Sequence, residues 1–275
     1  MCPPGRSAIV GGMTDHPFRF GVVAGHASDS AAWTSLARRA ESAGYATLLI
    51  PDTLHTLSPF AAAAAAAAVT TTLRVGTFVL SAPNRAPEHV AWEAATLRAL
   101  SSGRFELGLG AGRPGAEEDA ARLGMPFGTP GERIERLSRT ADAVRDAAPD
   151  VRLLVAAAGA RLLRLAARKA DTVALGLPPN VSEEQVAAKL DELYELAGDR
   201  FHALELNLNL HAVGDEPPAW MPRLAPGGVG VLKGSPQEMA DTLSRRRDRL
   251  GISYVSVSAQ YLDALAPVVG LLAGT

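Results

Sequence analysis

From Phe18 to the C-terminus, short runs of β-branched and leucine-rich residues alternate with longer stretches whose apolar positions recur at helical spacing. Eight runs are strand-like: FRFGVVA (18–24), ATLLIP (46–51), LRVGTFVL (73–80), RFELGLG (104–110), VRLLVAA (151–157), DTVALGL (171–177), ALELNLNL (203–210) and ISYVSVSA (252–259). Each is followed by a helix-like segment. The first, SAAWTSLARRAESAGY, sets Trp33, Leu36, Ala37, Ala40 and Ala43 on one face. Others are EHVAWEAATLRAL (88–100), SEEQVAAKLDELYELAG (182–198) and SPQEMADTLSRRRDRLG (235–251). The last two open on serine N-caps, carry acids in or just after the first turn, and close on glycine.

Eight consecutive strand–helix units predict an α/β fold of the (β/α)8 TIM-barrel type, built as a single domain over residues 18–275. An open doubly wound sheet is the competing architecture, and it rarely needs so many consecutive units. Residues 1–17 read as a disordered leader. Two long irregular stretches, 111–129 and 211–234, follow the fourth and seventh strand runs. In a barrel both belong at the C-terminal mouth, where active sites are built. The second, with Pro217, Pro218, Trp220 and Pro226, reads as a lid or a rigid cap.

Composition narrows the function classes. At 275 residues, with 47% hydrophobic and 20% charged positions, the chain is globular. A formal net charge of −2 and 5% aromatic content give no basis for nucleic-acid or membrane-surface binding. The single cysteine, Cys2, leaves no internal disulfide and no cysteine-based zinc site, and suits a reducing cytoplasm. The alanine-rich tract Phe60 to Val69 is about half the ~20 residues a membrane span needs, so it reads as a helix packed closely on the barrel.

A barrel makes strand ends the informative positions. His26 follows the first run, Asp52 and His55 the second, Asn84 and Arg85 the third. Arg113, Glu117 and Glu118 follow the fourth, His211 the seventh, Gln260 and Tyr261 the eighth. No His-x-x-x-His pair occurs, so no metal site is expected. No Gly-x-Ser-x-Gly elbow occurs either, which disfavours a serine hydrolase. Arg245 to Arg247 read as a solvated helix face. GLGAG (108–112) is an incomplete dinucleotide signal that would let a ligand lie against the backbone. After the fifth run, Ala156-Ala157-Ala158-Gly159 turns straight into a helix, where free N–H groups can hold a phosphate, though such turns usually carry several glycines.

The stretch LRVGTFVLSAPNRAPEHVAWEAATLRALSSGRFELGLGAG (73–112) resembles the luciferase-like monooxygenase superfamily, in its deazaflavin (F420)-dependent oxidoreductase branch. SPFAAAAAAAAVTTTLRVGT, PFGTPGERIERL, ARLLRLAARKADTVAL and KGSPQEMADTLSRRRDRLGISYVSV extend the resemblance over nearly all of 18–272. It implies a (β/α)8 barrel, commonly a homodimer, with FMN or F420 at the C-terminal mouth. It also implies a non-proline cis peptide in the third strand, at Phe78–Val79. Three positions depart from the family pattern: Asp52-Thr53 stands for Asp-His, Arg85-Ala86-Pro87 for Arg-His-Pro, and Ala156-Ala157-Ala158-Gly159 for a glycine run.

Two functions follow. The first is an F420- or reduced-flavin-dependent oxidoreductase acting on a small organic molecule, such as a secondary metabolite. Its cofactor would meet Phe78, Val79, Asn84, Arg85, Gly108 and Gly110, with the phosphate at Ala157, Ala158 and Gly159. His55, Asp52, Glu117, Glu118 and His211 are its candidate catalytic groups. The second is a cofactor-free descendant, motivated by the three departures. It would catalyse a cyclisation or isomerisation, or only bind a small molecule.

Overall fold

The computed structural model describes residues 16–214 and 228–275. The expected leader lies outside the described residues up to position 15, and so does the Pro217 to Pro226 part of the expected cap. In chain order the strands are β1 (Arg19–Val23), β2 (Thr47–Ile50), β3 (Arg74–Thr77), β4 (Leu80–Ser81), β5 (Phe105–Gly110), β6 (Arg152–Ala157), β7 (Thr172–Leu175), β8 (Glu205–Leu210), β9 (Ala212–Val213), β10 (Val231–Leu232) and β11 (Ile252–Ser258). The helices are α1 (Ser30–Ser42), α2 (Pro59–Ala67), α3 (Pro87–Leu100), α4 (Ala116–Arg122), α5 (Pro130–Ala147), α6 (Ala160–Lys169), α7 (Glu183–Ala197), α8 (Pro236–Leu250) and α9 (Leu262–Leu272).

The main sheet is parallel in the order β3-β2-β1-β11-β8-β7-β6-β5-β4, and a further β3–β5 pairing closes it into a ring. Strands β3 and β4 share one barrel position, so the expected eightfold barrel forms. The third strand run is nevertheless not continuous. It breaks at Phe78–Val79, where the peptide bond is cis. Neighbouring β5 accommodates the break with two glycines. A Cβ on Gly108 would stand 2.1 Å from the Thr77 carbonyl oxygen, and one on Gly110 2.6 Å from Val79 Cγ2. These glycines are therefore required by the barrel wall itself.

Side-chain alternation along each strand sorts residues into two compartments. Phe20, Val22, Leu48, Ile50, Leu206 and Leu208 face the surrounding helices and form the main core. The alternate positions fill the lumen. At its N-terminal end Arg19 reaches Glu106 (Nη1–Oε1 2.7 Å) and Glu205 (Nε–Oε1 2.5 Å). Arg74 also pairs with Glu106, Arg152 pairs with Glu205 at 3.3 Å, and the Arg19 guanidinium lies 3.9 Å from the Tyr254 ring centroid. Buried charges persist only when paired and hydrogen-bonded, and here nearly all are. Above this charged plug sits an apolar layer of Leu49, Leu154, Ala174 and Tyr254, with Val23, Phe78 and Val79 packed on it. The plug and this layer fill the N-terminal part of the lumen, below the C-terminal mouth.

The helix ends follow local chemistry. Ser182 with Gln185 and Ser235 with Glu238 form reciprocal capping boxes, as do Thr129 and Glu132 at α5. Helix α8 stops at Gly251, whose φ is 70°. In α2, Ala62, Ala63, Ala66 and Ala67 are buried, so methyl groups bring the helix close to the sheet. Three features were not anticipated. Helix α4 occupies part of 111–129, and the short parallel pair β9–β10 occupies part of 211–234. The arginine run is not wholly solvated. Arg246 is buried, donating to Glu183 (3.2 Å) and to the Val229 carbonyl (3.0 Å), while Arg247 lies over the Phe18 ring. Among the described residues no helix is long and apolar enough to cross a membrane.

Candidate active site

At the mouth, a cavity of about 350 Å³ opens between β2, the β3–β4 break, β5 and the β6–α6 turn. Phe78, Val79, Pro51, Ala111 and Leu162 give it apolar walls, and Ala156, Ala158 and Gly176 line the side nearest α6. Its polar groups are few: Asp52, Thr53, Ser81 and Arg113. Apolar walls with a few convergent polar groups are what a small-molecule site requires.

Asp52 is held from several directions. Arg85 grips it bidentately (Nη1–Oδ2 2.6 Å, Nη2–Oδ1 3.0 Å), the Ser81 N–H donates to Oδ2 at 2.9 Å, and Asn84 Nδ2 donates at 3.4 Å. Phe60 backs the Arg85 guanidinium at 5.6 Å. The carboxylate is thus a fixed anchor rather than a free base. Beside it, two buried atoms have no protein partner among the described residues: Ser81 Oγ, on the cavity wall, and Asn84 Oδ1. Buried polar atoms are normally satisfied, so orphans beside a cavity mark where a ligand can complete the bonding. Across the cavity, Arg113 is held by Asp119 (2.7 Å), a buried acid one residue beyond the candidate pair.

The β6–α6 turn carries alanines where the family pattern has a glycine run, and its backbone needs no glycine conformation. None of Ala156, Ala157 and Ala158 has a positive φ, and Gly159 is ordinary extended backbone at φ −120°. A Cβ at Gly159 would meet nothing within 4 Å. Ala158 and Gly159 are exposed, α6 has no side-chain cap, and its first turn holds no acid. The free N–H groups of α6 and the positive end of its dipole therefore open onto the Ala158–Leu162 side of the cavity.

The structure gathers some candidate residues and disperses others. Asp52, Phe78, Val79, Gly110 and Ala158 line the cavity, and Asn84 and Arg85 stand directly behind Asp52. Gly108 and Ala157 are buried in the barrel wall. His55 is exposed on the 51–58 loop, and Glu117 and Glu118 are exposed on α4; none of the three lines the cavity. His211 is half-buried at the head of β9 and hydrogen-bonds to the Leu177 backbone. Burial pushes its imidazole pKa down, which that bond opposes. Sequence reasoning did not single out Ser81, Leu162 or Gly176, because nothing in their local pattern marks them. It also passed over lumen-facing Asn207, Asn209, Ser256 and Ser258, whose signal was legible: polar residues alternate in ELNLNL and SYVSVS.

Comparisons with known proteins agree with this fold. Uncharacterised proteins from Mycobacterium bovis and Mycobacterium tuberculosis are 35% identical, over 39% of this chain and 45% of theirs. The match thus spans less than half the length of these relatives. The coenzyme F420 dependent tetrahydromethanopterin reductase of Methanopyrus kandleri superimposes with a TM-score of 0.74 at 15% identity, covering 92% of this chain and 98% of that one. A riboflavin lyase solved with modified FMN and riboflavin gives 0.73 at 15% identity, covering 94% and 93%. At such identities the likeness is one of fold. The luciferase-like monooxygenase sequence pattern matches residues 16–225, and the chain belongs to that family.

Proposed function

We propose that this protein is an oxidoreductase that binds F420 or reduced FMN at the barrel mouth and acts there on a small organic substrate. The observation that carries the reading is the cavity itself, an apolar wall at Phe78–Val79 continuous with the uncapped N-terminus of α6. The residues fit such a cofactor. The N–H groups from Gly159 onward would hold its phosphate, with no strain from the alanines and no competing acid. Phe78 and Val79 would support the ring, and Ser81 would offer a hydroxyl to its edge. The cofactor, when bound, supplies hydride or oxygen chemistry, and the protein supplies placement and exclusion of water.

One feature disfavours the cyclase or isomerase form of the cofactor-free alternative. Among the described residues, the titratable side chains lining the cavity are Asp52 and Arg113, and both are committed to ion pairs. A cyclase or isomerase working by acid–base placement needs a free titratable group there.

The test is direct binding of F420 and FMN, followed by fluorescence quenching. Ala158→Asp sets a carboxylate at the helix N-terminus and is expected to weaken both by about tenfold or more, the scale of one charged hydrogen bond. The triple change of Ala156, Ala157 and Ala158 to Gly is expected to leave affinity within about threefold, because no positive φ awaits relief. Absence of binding by the wild-type protein at tens of micromolar would overturn the reading.

A homodimer belongs to the same proposal. Trp92 and Leu100 project from α3 with 69% and 68% of their surface exposed, which favours a covered apolar face. Light scattering should find a dimer that Trp92→Glu converts to monomer.

A further inference from the structure

In the layer just above the charged plug, the polar side chains come from β8 and β11. Strand β8 turns Glu205, Asn207 and Asn209 inward, and β11 turns Tyr254, Ser256 and Ser258 inward, with Asn207 level with Tyr254 and Asn209 level with Ser256. The other strands contribute Leu49, Leu154 and Ala174 to this layer, Ala174 standing directly beside Asn207. Asn207 and Ser256 are almost fully buried, at 1% and 0% exposure. Apolar residues would fill this space at lower desolvation cost, so the polar choice requires a use.

These side chains form a ladder with a direction. Asn207 Nδ2 donates to the Tyr254 carbonyl (3.4 Å) and to Ser256 Oγ (3.3 Å), and the Ser256 hydroxyl donates to Asn209 Oδ1 (3.1 Å). The lowest rung is a backbone carbonyl, which can only accept, so Asn207 must turn its NH2 group toward it. Ser256 then accepts from Asn207, and its one proton goes to the nearer Asn209 Oδ1 at 3.1 Å rather than to Asn207 Oδ1 at 3.5 Å. Asn209 is left with its oxygen facing the ladder and its two N–H donors at the half-buried upper end. It does not itself line the mouth cavity, but two residues beyond the Ala174–Asn207 pair it stands level with Gly176, which does. Among the described residues those donors have no partner.

We infer that Asn209 donates an amide N–H to a carbonyl oxygen of the molecule held in the mouth, with Asn207 and Ser256 as positioning residues that fix its orientation. The inference rests on the reading that the mouth binds a ligand, and it adds that ligand's chemistry: a carbonyl-bearing edge toward β8 and β11, and an apolar face toward Phe78 and Val79. A cofactor ring and an organic substrate could each supply that carbonyl.

The experiment follows the Asn209 side-chain amide signal by ¹⁵N NMR, assigned by its disappearance in Asn209→Asp and in Asn209→Ser. Two phosphate-free probes are titrated separately: riboflavin, and 2-cyclohexenone as a small enone. The Asn209 signal is expected to move with at least one probe. Asn209→Asp should weaken that probe's binding by about tenfold, and Asn209→Ser should do so if the aspartate variant fails to fold. Ser256→Ala should move the ligand-free Asn209 signal and weaken binding by about threefold with Tm retained, an effect that a purely structural serine would not produce. A shift with riboflavin alone assigns the carbonyl to the cofactor ring, and one with the enone alone to the substrate. A signal unmoved by both probes at millimolar concentration overturns the inference. Since neither probe carries phosphate, failure of F420 and FMN to bind alongside a moving Asn209 signal would sink only the cofactor reading.

Discussion

At the scale of single residues, meaning depended on partners that lie far away in sequence. Asp52 has the identity of a base, yet its oxygens are occupied by Arg85, Ser81 and Asn84, which lie 29 to 33 positions away. Arg85→Ala would leave that carboxylate buried at 8% exposure without its counter-charge. It is expected to cost about 3 kcal/mol in urea unfolding, the scale of breaking a buried pair. Asp52→Asn should be milder, since the amide keeps an acceptor for the Ser81 N–H. The alanines of the β6–α6 turn teach the same lesson. Their composition departs from the family's glycine run, but backbone dihedrals decide whether a glycine conformation is needed, and those dihedrals are ordinary here.

At the scale of elements, local signals were dependable where a capping group and an amphipathic face coincided. Helices α7 and α8 begin and end within a residue or so of where their serine and glycine signals put them. The Ser182–Gln185 box makes a quantitative expectation: Ser182→Ala should lower stability by about 1 kcal/mol while leaving cofactor binding unchanged. Elements without such signals were missed. Helix α4 has seven residues and β9 and β10 two each, too few for any periodicity to emerge. The break in the third strand was invisible to periodicity as well, since FVL reads as plain strand. The family resemblance, not the pattern, pointed to Phe78–Val79.

At the scale of the whole molecule, the charged plug links barrel closure to pH. Burial alone would raise the Glu106 pKa, but Arg19, Arg74 and Arg152 overcome it and hold the carboxyl below the usual carboxylate range. A carboxylate whose pKa is lower folded than unfolded contributes stability above its unfolded value, near 4.3, and loses it as pH falls through the folded value. Glu106→Gln should therefore be strongly destabilised at pH 7, with the gap to wild type narrowing as acid unfolding is followed below about pH 4. At the surface, Glu41 adds a second acid-sensitive contact. Despite an opposing desolvation effect, the Leu73, Thr72 and Thr71 backbone N–H groups hold its pKa at about 2.

The sequence alone determined the eight strand–helix units and the capped helix ends, and it carried in ELNLNL and SYVSVS the alternation that sorts strand residues between two faces. Those features are local, fixed by backbone hydrogen bonding and by the period of apolar positions. Only closure of the barrel decided which inward residues share a layer. Closure turned Arg19, Glu106 and Glu205, spread over 186 positions, into one ion cluster, and made Asn207, Asn209 and Ser256 a single ladder. Register between distant strands sets such contacts, and no single segment of chain encodes it.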